Sequence, residues 1–450
     1  MSQEERTRLV VLSRIRNKEL TLHEAAEVMG VCYRQARRLM KRFVLEGDEG
    51  LVHCGRGKPS GRQIDPAFRL QVLDAYRQHY SGFGATLASE KLAERENLTI
   101  DRGTLRRWLI AEGLIERTRK RSAYRKQRVR RAHFGELVQM DGSDHDWYGA
   151  RGDRSCLMNM VDDATGTTLS FMSLEETIWA AMTVLAMWIK LYGVPRALYV
   201  DAKNVYVTKR PRTIAEELAN VDPVTQFGRA CLKLGIRLIT AHSPQAKGRV
   251  ERNHGTYQDR FVKELFLEGI HDVDGANALL PKYLKTINGK FSKEAADAAD
   301  YHRPWPEGLR HDDVFCLEQM RVIGKDWVVR HDNHYYQVLK QPDLPPAQSS
   351  VIVRQTQDGG IRIVCDGRPL AFREITQTQA KTARSNQISA KAVPAVVKTQ
   401  LQVSAFNRSD LNAKQARIKQ NQWEAGQEFV ASLIDAQNPD LGSLTANIIA

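Results

Sequence analysis

Fifteen consecutive residues, Arg117 to Arg131 (RTRKRSAYRKQRVRR), carry nine Lys or Arg and no apolar period. Such a run has no face to bury and its like charges repel, so it reads as an extended linker rather than part of a core. It divides the chain of 450 residues in two. The apolar pattern is helical before it, and strands alternate with helices after it. Charge divides at the same place. Residues 1–132 hold 29 Lys or Arg against 16 Asp or Glu, a net +13; the other 318 residues hold 38 and 37, a net +1. A basic segment ahead of a neutral body predicts a polyanion-binding part joined to a part with another task. A run of this composition also fits a nuclear-localisation signal, and composition alone does not separate the two readings. The length exceeds what one core serves and predicts roughly three domains.

Several classes are excluded. No stretch reaches about 18 apolar residues, so no membrane span is expected. The start, MSQEERTRL, lacks the apolar core of a signal peptide. Cys32, Cys54, Cys156, Cys231, Cys316 and Cys365 form no CxxC pair, which argues against a disulfide scaffold or a zinc knuckle and for a reducing, cytoplasmic setting.

Residues 1–54 read as a helix-turn-helix domain. A short helix over 5–17 precedes LTLHEAAEVMGVCYRQARRLMKRF (20–43). Thr21 and Glu24 have capping-box spacing, Gly30 permits the tight turn and Val31 plugs it. The helix from residue 32 turns Ala36, Leu39 and Met40 inward and Arg34, Gln35, Arg37, Arg38 and Lys41 outward, the pattern of a helix that enters a DNA major groove. GRGKPSGR (55–62) reads as a linker or as a minor-groove segment. Residues 63–116 repeat the logic as a second helix-turn-helix domain. Asp101 caps its last helix, Leu105, Trp108 and Leu109 point inward, and Arg102, Arg106 and Arg107 point outward. The linker is then 117–132.

Residues 133–300 read as a mixed α/β core. Strands are expected at 135–141, at 156–174 as a hairpin, at 196–201 and at 237–241, with helices at 175–192, 225–234, 246–266 and 272–300. Asp162 and Asp163 read as turn acids of the hairpin. Three other acids stand where elements rise from the core: Asp141, Asp201 and Glu251. Converging carboxylates repel unless a divalent cation neutralises them, and Asp and Glu oxygens suit magnesium or manganese. Two such ions activate an attacking oxygen and stabilise a leaving one in phosphoryl transfer. His242 and His254 flank the Glu251 helix and read as structural hydrogen bonders or DNA contacts rather than metal ligands.

VQMDGS (138–143), LYVDAKN (198–204) and AHSPQAKGRVERNHGTYQDRFVKEL (241–265) resemble the motif blocks of DDE insertion-sequence transposases of the ISNCY type, within the retroviral-integrase catalytic-core superfamily. The resemblance implies a ribonuclease H-like core in which Asp141, Asp201 and Glu251 are the catalytic, metal-binding triad. It implies two Mg2+ or Mn2+ ions, double-stranded DNA as partner at element ends and target, a homo-oligomer on DNA, and a bacterial cytoplasmic, nucleoid-associated setting. Many such relatives place the Glu about 35 residues after the second Asp, whereas 50 separate them here. Residues 203–224 therefore read as an insertion, with Lys203, Lys209 and Arg210 as phosphate contacts. Several relatives carry Lys or Arg where this chain has Gln258, so Lys247, Arg249 or Arg252 would supply that DNA contact.

Residues 315–378 alternate apolar and polar, with turns at Asp332-Asn333 and Gly359-Gly360, and read as a small β-barrel. Residues 379–450 read as a polar tail with one helix over 413–437. The whole is read as a metal-dependent cut-and-join DNA recombinase. The alternative is a sequence-specific DNA-binding regulator that keeps an inactive core.

Overall fold

The computed structural model describes residues 1–53, 55–57, 64–117, 128–218, 220–241 and 247–376. The expected tail, its 413–437 helix, the middle of the basic linker and His242 lie outside them. The chain forms two compact units, Met1–Arg119 and Lys120–Ala450.

In the first unit, α1 (Gln3–Arg16), α2 (Leu22–Val28) and α3 (Tyr33–Glu46) form one group. The Thr21–Glu24 capping box is complete, so α2 starts where its first N–H groups find side-chain acceptors. Gly30 has φ +62°, a left-handed conformation that a Cβ would strain. Leu12, Leu39, Phe43 and Leu51 form the core of this group. Buried Glu5 accepts from the backbone N–H of His53 at 3.0 Å, which ties the chain after α3 back to α1. Arg34, Gln35, Arg37, Arg38 and Lys41 are exposed on α3.

The second group comprises α4 (Pro66–His79), α5 (Ala85–Glu96) and α6 (Arg102–Ala111). Asp101 accepts from the N–H groups of Gly103 and Thr104, as its capping position requires. Leu105 and Leu109 are buried. Trp108, expected inward, is only half-buried, with the Arg69 guanidinium 5.7 Å from its ring centre. Arg102, Arg106 and Arg107 are exposed.

The second unit centres on a mixed five-stranded sheet made from β1 (Val138–His145), β2 (Ser155–Asp162), β3 (Thr168–Ser173), β4 (Ala197–Val200) and β5 (Arg237–Thr240). Their order is β3-β2-β1-β4-β5. The first three pair antiparallel, and β4 lies parallel to both β1 and β5. Every residue of β2 and β3 is buried, so both faces of these strands are covered. The apolar helix α7 (Ile178–Tyr192) contributes ten buried residues. After β4 come the short α8 (Ile214–Leu218) and α9 (Gln226–Lys233). Two long helices follow, α10 (Gly248–Leu267) and α11 (Val273–Phe291). The helix expected to run to residue 300 ends at Phe291, where Ser292 adopts an extended conformation as its C-cap.

After α12 (His311–Val314), seven strands follow: β6 (Leu317–Val322), β7 (Val328–His331), β8 (His334–Val338), β9 (Ser350–Gln355), β10 (Ile361–Cys365), β11 (Arg368–Leu370) and β12 (Phe372–Ile375). They form two antiparallel sheets, β11-β10-β9-β6 and β12-β8-β7, over a core that includes Ile323, Val329, Val351, Val353 and Ile363. Asp332 and Asn333 both have positive φ in the two-residue turn between β7 and β8. Glu318 of β6 pairs with Lys233 at 2.6 Å and with Arg354 at 2.9 Å, which joins this module to α9.

Candidate active site

The register of two strands sets the first pair of acids. β1 lies parallel to β4 with Val138 beside Leu198 and Gln139 beside Tyr199. Asp141 and Asp201 stand two residues beyond this last pair at the same offset of sixty residues, just past the end of the parallel ladder. Asp141 does not end its strand as expected. β1 continues to His145 because β2 pairs with it along its full length. The parallel partner β4 ends at Val200, so the edge of β1 beyond Gln139 is open to side chains from the loop after β4.

That loop supplies Lys203. Its Nζ lies 3.5 Å from Asp201 Oδ2, 3.9 Å from Asp141 Oδ1 and 2.5 Å from Glu176 Oε2. Burial alone would lower the Lys203 pKa, but the Glu176 hydrogen bond and the three carboxylate charges outweigh it and raise the pKa. Lys247, the N-cap of α10, is buried, with its Nζ 3.0 Å from Asp141 Oδ1.

Helix α10 lies over this part of the sheet. The Val250 N–H donates to Gln139 Oε1 at 3.2 Å, and Gln258 Nε2 donates to the Ser143 hydroxyl at 3.1 Å. Asp141 lies on the same face of β1 between Gln139 and Ser143, so it meets the middle of this stretch of helix. Lys247, Glu251, His254 and Gln258 follow one another at helical spacings of four, three and four, one continuous stripe. Glu251 is exposed at the rim of that stripe. The structure thus brings Asp141 and Asp201 to one cation, with Glu251 one turn from Lys247. Among the described residues, no three His, Cys, Asp or Glu side chains already stand close enough to hold a metal ion. The Lys203 ammonium approaches both Asp141 and Asp201, and Lys247 rests on Asp141.

Comparison with known proteins decides the family. A winged helix-turn-helix family matches residues 8–69. A protein of Sinorhizobium fredii named as a transposase is 38% identical over 328 residues, 72% of this chain and 70% of that protein. The transposase of an insertion sequence of Streptococcus pneumoniae is 27% identical over 369 residues, 74% of this chain and 77% of that protein. This chain belongs to the insertion-sequence transposases. Two solved structures are also similar. A chain of a simian T-cell lymphotropic virus intasome has 18% identity and a TM-score of 0.31, over 65% of this chain and 95% of its own. The HTLV-2 integrase catalytic core solved with magnesium has 19% identity and a TM-score of 0.27, over 34% of this chain and 86% of its own.

The transposase is a DNA-recombining enzyme. Its described helices include none long and apolar enough to cross a membrane. Four of its basic residues expected at DNA have carboxylate partners in the fold. Lys247 is buried on Asp141 rather than presented to DNA, and Lys203 is held among carboxylates. Arg249 donates to Asp163 Oδ1 at 2.6 Å. Arg252 is exposed. In the 203–224 segment Arg210 pairs with Glu216, while Lys209 is exposed.

The hairpin acids divide in role. Asp162 acts in the turn as expected, accepting from Thr165 N–H at 2.7 Å. Asp163 is fully buried and receives Arg128, the Arg131 N–H, Gln139 and Arg249. Burial opposes its charge, but these donors prevail and hold its carboxyl below the usual range. The end of the basic linker is therefore docked on the core, because Asp163 offers Arg128 and Arg131 a buried acceptor. His254 is buried in the transposase, and burial pushes its pKa down to about 4, so it stays neutral near pH 7. Glu176 was not singled out from sequence. It precedes α7 in a loop, and only the neighbouring Gly142 hints at it: a Cβ there would lie 2.5 Å from Glu176 Oε2.

Proposed function

We propose that this transposase cuts at insertion-sequence ends and joins them to target DNA at a site built from Asp141, Asp201 and Glu251, on a ribonuclease H-like core. The observation that carries this reading is that Asp141 and Asp201, each just past the β1–β4 pairing, both approach the Lys203 ammonium, at 3.9 Å and 3.5 Å, and that Asp141 also meets Lys247 at the start of the Glu251 helix. The donor set fits magnesium or manganese, since it offers hard carboxylate oxygens and already attracts cations. Two divalent ions held there would supply Lewis acidity for in-line attack on phosphate and stabilise the leaving oxygen.

The residues then divide the work. Asp141 and Asp201 would hold the divalent ions, and Glu251 on α10 would complete the donor set. Hydrolysis at the element end breaks one phosphodiester and leaves a 3′ hydroxyl. That hydroxyl attacks a phosphodiester of target DNA and expels the target strand's 3′ oxygen as a new 3′ hydroxyl, which joins the element end to the target's 5′ side without a protein–DNA covalent link. Arg34, Gln35, Arg37, Arg38 and Lys41 on α3, and Arg102, Arg106 and Arg107 on α6, hold the element end. Arg252, together with Lys247 and Arg249 once their carboxylate partners release them, contacts DNA near the site. The β6–β12 module is a barrel that steadies the DNA. Two ends and one target need two sites, so the working form is a homo-oligomer on DNA.

The test incubates the full chain with duplex DNA carrying an element end, with and without Mg2+. The expected products are a Mg2+-dependent nick with a 3′ hydroxyl, followed by end–target joints. Specific binding without any nick in Mg2+ or Mn2+ would instead support a DNA-binding regulator with an inactive core.

A further inference from the structure

Three carboxylates converge on one ammonium group. Lys203 Nζ sits between Asp141 and Asp201 at 3.9 Å and 3.5 Å, the two acids to which the proposal above assigns the divalent ions. Its shortest contact, 2.5 Å, is with neither of them but with Glu176. Glu176 is itself fixed. Its other oxygen accepts from the buried Tyr206 hydroxyl at 3.0 Å, and its carboxylate fills the space left by the missing side chain of Gly142. Tyr206 belongs to the same tight turn as Lys203, its N–H donating to the Lys203 carbonyl at 3.0 Å. Lysine, tyrosine and glutamate thus form a closed set with one charged head aimed between the acids.

We infer that Lys203 is a built-in occupant of the cation position: its ammonium balances Asp141 and Asp201 in the metal-free enzyme, gives way to the divalent ion, and stays tethered by Glu176 beside the DNA phosphate. This inference rests on the metal assignment above. An ammonium and a divalent ion cannot share those two carboxylates without repulsion, so one displaces the other. The flexible four-carbon stem of lysine lets Nζ swing out while the backbone keeps its turn. Glu176 is then a positioning residue for Lys203, and metal affinity is set by competition. A displaced ammonium held at the site mouth meets a phosphate oxygen as its next partner.

The test measures Mn2+ binding to the full chain by the electron paramagnetic resonance of free Mn2+. Lys203→Gln is expected to bind Mn2+ about tenfold more tightly than wild type, since a competing charge is gone. Its melting temperature is expected to fall in chelator and recover in Mg2+, because Asp201 then lacks its counter-cation and Asp141 keeps only Lys247. Lys203→Arg, which keeps the charge, is expected to bind as wild type does. Asp141→Asn separates the two claims. If it binds Mn2+ as wild type does, the metal assignment fails and this inference with it. If it abolishes binding while Lys203→Gln leaves affinity unchanged or weaker, the inference alone is overturned. Amine acylation of the wild-type chain, read by mass spectrometry, needs no folded variant: Mg2+ is expected to raise labelling of Lys203 several-fold, and unchanged labelling overturns the inference.

Discussion

Asp163 sits in the bend between β2 and β3, where a turn acid ordinarily faces water, yet it is fully buried. It faces the guanidinium groups of Arg128 and Arg249 and accepts from Gln139, which in turn accepts from the first turn of α10. Its removal leaves Arg249, itself largely buried, with an unmatched charge and frees the end of the linker. Asp163→Ala is expected to lower stability by about 3–5 kcal/mol, measured by urea denaturation. A folded carboxyl held below its unfolded pKa contributes stability that is present above about pH 4 and lost as pH falls through the folded value. The stability difference between pH 5 and pH 3 is therefore expected to shrink in Asp163→Asn. An undiminished difference would mean that Asp163 is not charged in the fold. Glu176 and Lys203 tell the same lesson from the other side. Each is an ordinary loop residue in the sequence, and only the three-dimensional return of two loops to the edge of β1 makes them neighbours.

At the scale of elements, legibility follows periodicity. The α2 capping box, the exposed basic face of α3 and the strand-helix alternation of the core could all be read, because each rests on spacings of three, four or two. Boundaries fixed by partners could not. β1 outruns Asp141 because β2 extends it, and α11 stops at Phe291 although residues to 300 carry helix-compatible types. The side-chain partners of Lys247 and Arg249 were equally hidden, since nothing local distinguishes a phosphate-seeking cation from one already paired. On α3 the exposed Arg37 and Arg38 give a direct prediction. Either alanine variant is expected to weaken binding to the element end by about 1–3 kcal/mol in a gel-shift titration, with binding to random DNA less affected. Equal loss on both DNAs would make them phosphate contacts only. Thr21→Ala, which removes the α2 cap, is expected to cost about 1 kcal/mol of thermal stability.

At the scale of the whole molecule, the +13 of residues 1–132 divides into +6 on the unit Met1–Arg119 and +7 on residues 120–132, which precede the carboxylate-bearing core. Binding to element ends is expected to fall steeply with salt, as counterions released by phosphate contacts return. In the proposed homo-oligomer, two defective chains can complement each other. Glu251→Gln mixed with a chain in which Arg37, Arg38 and Lys41 are all alanine is expected to recover strand transfer if one copy cuts the end held by another. Mixtures that stay inactive, while each variant still assembles with wild type, would place cutting and holding in the same copy. The central claim is that Asp141, Asp201 and Glu251 act as one site, and Glu251, exposed at the rim of α10, is its most exacting member. The decisive measurement is Mg2+-dependent nicking of an element-end duplex by Asp141→Asn, Asp201→Asn and Glu251→Gln, each beside a binding titration on the same DNA. The account predicts that all three lose nicking by at least about a thousandfold, some 4 kcal/mol of barrier, while end binding is retained. Glu251→Gln nicking at the wild-type rate would contradict it.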